Sequence, residues 1–63
     1  MTPEQADAAK QLRTTLKAEK YLVGIEEEEH GNRVFVHFQK HYPGAFVGWY
    51  TILPDGRREF GRR

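Results

Sequence analysis

The sequence predicts an α+β domain, with one N-terminal helix packed on a four-stranded antiparallel β-meander. Three observations carry that prediction. The first twenty residues hold a narrow apolar stripe at helical spacing, and the remainder alternates apolar or aromatic side chains with polar ones. Three turn signals, Gly31-Asn32, Pro43-Gly44 and Pro54-Asp55-Gly56, then cut that remainder into runs of strand length. The expected boundaries are a helix over about 3–19 and strands over about 21–29, 33–41, 46–53 and 57–62. All of it falls in a single small domain, residues 1–63.

The helix begins at Thr2-Pro3-Glu4-Gln5, which supplies an N-cap, a proline in the first turn and an acid near the N-terminal dipole. Ala8 or Ala9, Leu12 and Leu16 make the stripe, with Lys10, Arg13, Lys17 and Lys20 around it. The stripe is narrow and partly alanine, so this helix needs a sheet to lie on.

Each strand pair is given a register by its turn. A two-residue Gly31-Asn32 loop sets Ile25 opposite Phe38, Glu26 opposite His37 and Glu28 opposite Phe35. A Tyr42-Pro43-Gly44-Ala45 turn of type II sets Phe38 opposite Trp49, His37 opposite Tyr50 and Phe35 opposite Ile52. Leu53 to Arg57 form a three-residue loop with Gly56 left-handed, which sets Trp49 opposite Gly61 and Tyr50 opposite Phe60. In these registers one face gathers Val23, Ile25, Val34, Val36, Phe38, Val47, Trp49 and Leu53, covered by Leu12 and Leu16. The opposite face carries Phe35, His37, Phe46, Tyr50, Ile52 and Phe60, flanked by Arg58 and Arg62, with Glu26 and Glu28 at its far edge. An apolar patch of that size needs an occupant. The architectural alternative is a small SH3-like barrel with an N-terminal helix, in which the sheet curls and buries this face itself.

Composition narrows the functional classes. The chain has 63 residues and no cysteine, so a minimal core must hold it without disulfides. Oligomerisation is the common remedy, which makes a homodimer an expected partner state. No apolar run approaches a membrane span and the N-terminus lacks a signal-peptide core, so no membrane partner and a cytoplasmic location are expected. The net charge of +1 conceals an acidic run, Glu26 to Glu29, and an arginine-rich end, Arg57 to Arg63.

Catalysis is not expected. Serine and cysteine are both absent, which removes the usual nucleophiles. His37 and His41 have a metal-like spacing, but on a strand they stand about 13 Å apart, too far for one ion. No phosphate-binding loop occurs, and no cofactor is expected. Gly48 and Gly61 fall within strands, where Gly61 leaves room for the Trp49 indole.

The expected function is non-catalytic binding through the outer sheet face, by Phe35, His37, Tyr50, Arg58, Phe60 and Arg62. Aromatic rings stack on bases and arginines hold phosphates, so single-stranded nucleic acid is the first candidate ligand. Glu26 and Glu28 oppose a phosphate backbone, which confines such a path to the third and fourth strands. The alternative is a homodimeric protein-interaction or regulatory module using the same face, since Trp, Tyr, Phe and Arg are enriched at interface hot spots.

Overall fold

The structure is a computed structural model, and it describes residues 1–28, 30–41 and 47–62. Helix α1 spans Pro3–Ala18 and is followed by strands β1 (Leu22–Glu27), β2 (Val34–Gln39), β3 (Val47–Ile52) and β4 (Arg58–Arg62). The strands form one antiparallel sheet in the order β1-β2-β3-β4, an open meander. The α+β expectation holds, and the barrel alternative does not: the sheet is not closed.

The helix starts where the sequence places it. Thr2 caps it by accepting from the Gln5 N–H at 3.1 Å, while the Gln5 carboxamide oxygen accepts from the Thr2 N–H at 2.8 Å. This reciprocal pair is a capping box with glutamine at its third position. The Thr2 hydroxyl also donates to the Pro54 carbonyl at 2.7 Å, so the cap is tied to the β3–β4 loop. At the other end Lys20 takes a left-handed conformation, φ 70°. Its N–H donates to the Lys17 carbonyl, and that of Tyr21 to the Leu16 carbonyl, each at 3.0 Å. That is a Schellman closure with lysine where glycine is usual.

The core lies between α1 and the middle of the sheet. Ala8, Ala9, Leu12 and Leu16 of the helix bury against Val34, Val36 and Phe38 of β2 and Ile52 of β3. Tyr21, Val23 and Tyr50 close its margins. The helix packs on β1, β2 and, less extensively, β3, leaving β4 to one side.

Two of the three expected registers are corrected. In the β1–β2 pair Ile25 stands opposite Val36 rather than Phe38, and Glu26 opposite Phe35 rather than His37. The ladder closes with the Glu28 N–H donating to the Arg33 carbonyl at 2.9 Å, so the connection is longer than Gly31-Asn32 alone. The offset is two residues, which leaves each side chain on its expected face. The longer connection takes His30 out of the ladder and into solvent.

The β2–β3 offset is one residue, and its consequence is larger. Val36 pairs with Tyr50, Val34 with Ile52 and His37 with Trp49. A one-residue slip exchanges the faces of a strand, so Tyr50 and Ile52 turn toward the helix while Val47 and Trp49 turn away. The expected type II turn at Tyr42 to Ala45 lies outside the described residues, as does Phe46. Packing explains the choice. In the expected register Leu53 would stand opposite Val34 and Trp49 opposite Phe38, beneath Ala8 and Ala9. In the observed one Ile52, fully buried, and Gly48 take those two places, so the less bulky pair faces the helix. Burying that isoleucine is worth about 1.5–3 kcal/mol. Gly48 stands opposite Phe38.

The β3–β4 register is as expected, with Trp49 opposite Gly61, Tyr50 opposite Phe60 and Ile52 opposite Arg58. Gly56 adopts φ 90°, and the Leu53 N–H donates to the Arg57 carbonyl at 2.8 Å, closing the predicted three-residue loop. Because β4 follows β3, Phe60, Arg58 and Arg62 move with Tyr50 to the helix side.

Candidate binding face

The slip in β3 divides the expected site between the two faces of the sheet. Phe35 and His37 remain on the outer face, where the paired strands also place Val47 and Trp49. Tyr50, Arg58, Phe60 and Arg62 lie on the helix side. The arginine-and-aromatic combination expected of one surface is therefore two separate groups.

The outer face is built by alternation along three adjacent strands. Phe35 and His37 stand two apart on β2, with ring centroids 6.4 Å apart. Trp49, directly across from His37, sits on β3. Its indole lies over Gly61 on β4, so close that a β-carbon there would fall 2.5 Å from Cε2. Glu26, Phe35, His37, Gln39, Val47 and Trp49 line a shallow concavity of about 580 Å³. Helix α1 lies on the opposite side of the sheet; on this face His37 and Gln39 are exposed, and Phe35, Val47 and Trp49 are half-buried. The sequence places both Val47 and Trp49 in the core, and they are the residues of this face that sequence reasoning missed. Their parity within β3 could not be read, because both parities of that strand carry apolar side chains.

Besides His37, the ionisable side chains of the described strand residues of this face are carboxylates. Glu26 approaches the His37 imidazole, Oε2 to Nε2 3.8 Å, across a diagonal rather than a direct pair, and both side chains are largely exposed. Glu59 points the same way from β4, by its pairing with Thr51. Among the described strand residues of this face there is no lysine or arginine.

The helix-side group is a strip along β4 beside the helix. Phe60, 55% exposed, stands between Arg58 and Arg62 on one face of the strand. Its ring centroid lies 5.4 Å from Tyr50 and 6.3 Å from Phe38. Tyr50 stacks on Phe38 at 5.6 Å, which joins it to the core. The Arg58 guanidinium donates to the Gln11 side-chain oxygen at 2.6 Å, bracing β4 against the helix. Arg57 is held in the adjoining turn by Asp55, Nε to Oδ2 2.8 Å.

Among the described residues no three His, Asp or Glu side chains gather in a metal-binding group. His37 lies within β2 as expected, while His41 falls beyond the end of the strand at Gln39. No described helix is long and apolar enough to cross a membrane. Compared with known proteins, the chain matches no family model, no curated protein and no solved structure.

Proposed function

We propose that the protein is a non-catalytic binding module whose outer sheet face, centred on Trp49, Phe35 and His37, takes an apolar surface of a partner protein. The observation that supports this reading is the separation of charge from aromatics. The face that keeps Trp49 is flanked by Glu26 and Glu59, while Arg58 and Arg62 stand on the other side of the sheet. A phosphate backbone crossing the outer face meets carboxylates and no arginine from these strands, which disfavours nucleic acid there. An aromatic centre with a polar rim is instead the usual build of a protein interface, and tryptophan is the residue type most enriched at its hot spots. Affinity capture with the wild type, Trp49→Ala and Phe60→Ala tests the proposal. A specific partner held by wild type and Phe60→Ala but lost with Trp49→Ala supports it, and a partner indifferent to Trp49 overturns it.

A second reading keeps nucleic acid as ligand and moves it to the β4 strip. Phe60 exposed between Arg58 and Arg62 has both a stacking ring and cations for phosphate. Titration with a short single-stranded oligonucleotide, followed by amide NMR shifts, separates the two. Salt-sensitive shifts confined to β4 favour the strip, and shifts at Trp49 would restore nucleic acid to the outer face.

A further inference from the structure

We infer that β1 is the seam of a two-fold homodimer, in which the β1 strands of two copies pair antiparallel and the sheets join edge to edge. The inference stands apart from the outer-face reading, because it rests on the strand edge and on the helix side of the sheet.

Among the described residues β1 is an edge strand, paired with β2. Its side chains are left unusually bare for an apolar strand, with Leu22 45% and Ile25 39% exposed. Beside Ile25 runs a shallow groove of about 490 Å³, walled by Ala9, Lys10, Arg13 and Lys17 of the helix. An exposed apolar edge of this kind templates the addition of another strand.

Hydrogen-bond phase and face together select the pairing. The Glu28 N–H points to β2, where it donates to the Arg33 carbonyl. By alternation the backbone groups of Val23, Ile25 and Glu27 point outward, away from β2. Directly opposite residues of an antiparallel pair must also share a face, so the two-fold axis has to pass through a residue position. Centred on Ile25, the pairing sets Ile25 against Ile25 of the mate and Val23 against its Glu27. All three outward-facing residues then find partners within the strand. Centred on Gly24, Glu27 would fall opposite Tyr21, beyond the strand. Centred on Glu26, two carboxylates would stand opposite each other, which is unfavourable.

Charge selects the same arrangement. α1 runs antiparallel to β1, with the chain amine 3.2 Å from Glu27 at one end and the Tyr21 N–H bonded to Leu16 at the other. Lys17 therefore lies toward the Val23 end of the groove. In the Ile25-centred pairing the mate's Glu27, on the helix side of the sheet, arrives opposite Val23 and beside Lys17. The two-fold repeats this contact at the other end of the seam. Glu27, which would guard a lone edge, thus meets a cation when the mate is a second copy.

Sedimentation equilibrium from micromolar to millimolar protein tests the inference, with folding of each variant checked by amide NMR. Wild type is expected to dimerise. Ile25→Pro removes an outward N–H that the β1–β2 ladder does not use, and should weaken the dimer by about tenfold or more. Lys17→Glu and Glu27→Lys should each weaken it, and the double exchange should recover it, which keeps the test sharp if the proline variant does not fold. In a chain without cysteine, Ile25→Cys should cross-link under air oxidation while Thr51→Cys, on the outer face, should not. A protein monomeric throughout overturns the proposal. So does a dimer that ignores Ile25→Pro and the charge exchange but is lost with Trp49→Ala.

Discussion

The Trp49 indole lies over Gly61, and its Cε2, Cζ2 and Nε1 atoms come within 2.5–2.7 Å of where a β-carbon on that residue would stand. The absence of a side chain on β4 is therefore what lets the ring settle on the sheet. Gly61→Ala forces the indole off its seat, at a cost of about 1–3 kcal/mol as an overpacking change. Chemical denaturation followed by Trp49 fluorescence should show both the lower midpoint and an altered native emission.

Gln5 is a buried polar residue, 1% exposed, and all its carboxamide groups are used. Its Nε2 donates to the carbonyls of Asn32 and Ile52, and its Oε1 accepts from the Thr2 N–H. One side chain thus fastens the helix start to the β1–β2 connection and to β3. Gln5→Leu should destabilise the fold by about 2–4 kcal/mol, because the partners lose their hydrogen bonds out of water. Amide exchange should quicken in the first helical turn and near Asn32.

Lys20 offers the opposite outcome. It holds φ 70° at the Schellman closure, a conformation that costs a residue with a β-carbon about 1 kcal/mol relative to glycine. Lys20→Gly should raise stability by up to about that amount, measured by urea denaturation. An unchanged or lower midpoint would mean that the lysine side chain contributes more than the strain.

The two aromatic groups should separate in their mutational signatures. Tyr50 stacks on Phe38 and packs on the core, so Tyr50→Ala should cost about 2–4 kcal/mol of stability. Trp49→Phe and Phe35→Ala, on the open face, should cost less than Tyr50→Ala and act chiefly on partner binding. Thermal melts alongside the capture assay decide the matter. Equal losses of stability at Tyr50 and Phe35 would mean that both faces serve as core.

Asp55 gives a pH signature. It accepts from the Arg57 N–H at 3.0 Å, and this backbone bond, with the Arg57 charge, holds its carboxyl below the ordinary 3.8. The folded pKa is depressed, so the turn's contribution is present above about pH 4 and is lost as pH falls through the lower folded value. Carbon-detected NMR of the carboxylate should show a midpoint under 3.8, with the Arg57 amide shift following it.

The legible parts of the sequence were those fixed by short-range chemistry. Thr2 and Pro3 mark the helix start, Gly56 supplies the left-handed residue of its loop, and the β3–β4 register follows from that loop alone. The outer face was only half readable. Phe35 and His37 were placed correctly because β2 alternates strictly, with valines and Phe38 on one side. β3 does not alternate: Val47, Trp49, Tyr50, Ile52 and Leu53 put apolar bulk on both parities, so local pattern is silent about which side faces in. Gln5 was equally hidden, since a glutamine in a first turn usually faces solvent and is buried here by its tertiary partners.

The sequence by itself determined the element order, the helix cap, the meander and the pairing of Trp49 with Gly61. Each depends on turn geometry or spacing within a few residues. The tertiary structure decided which side of β3 meets the helix, and with it the separation of Trp49, Phe35 and His37 from Tyr50, Phe60 and the arginines. That choice is made by volume. Ile52 and Gly48 take the places opposite Val34 and Phe38 under the helix, and the larger indole of Trp49 is turned to the other face.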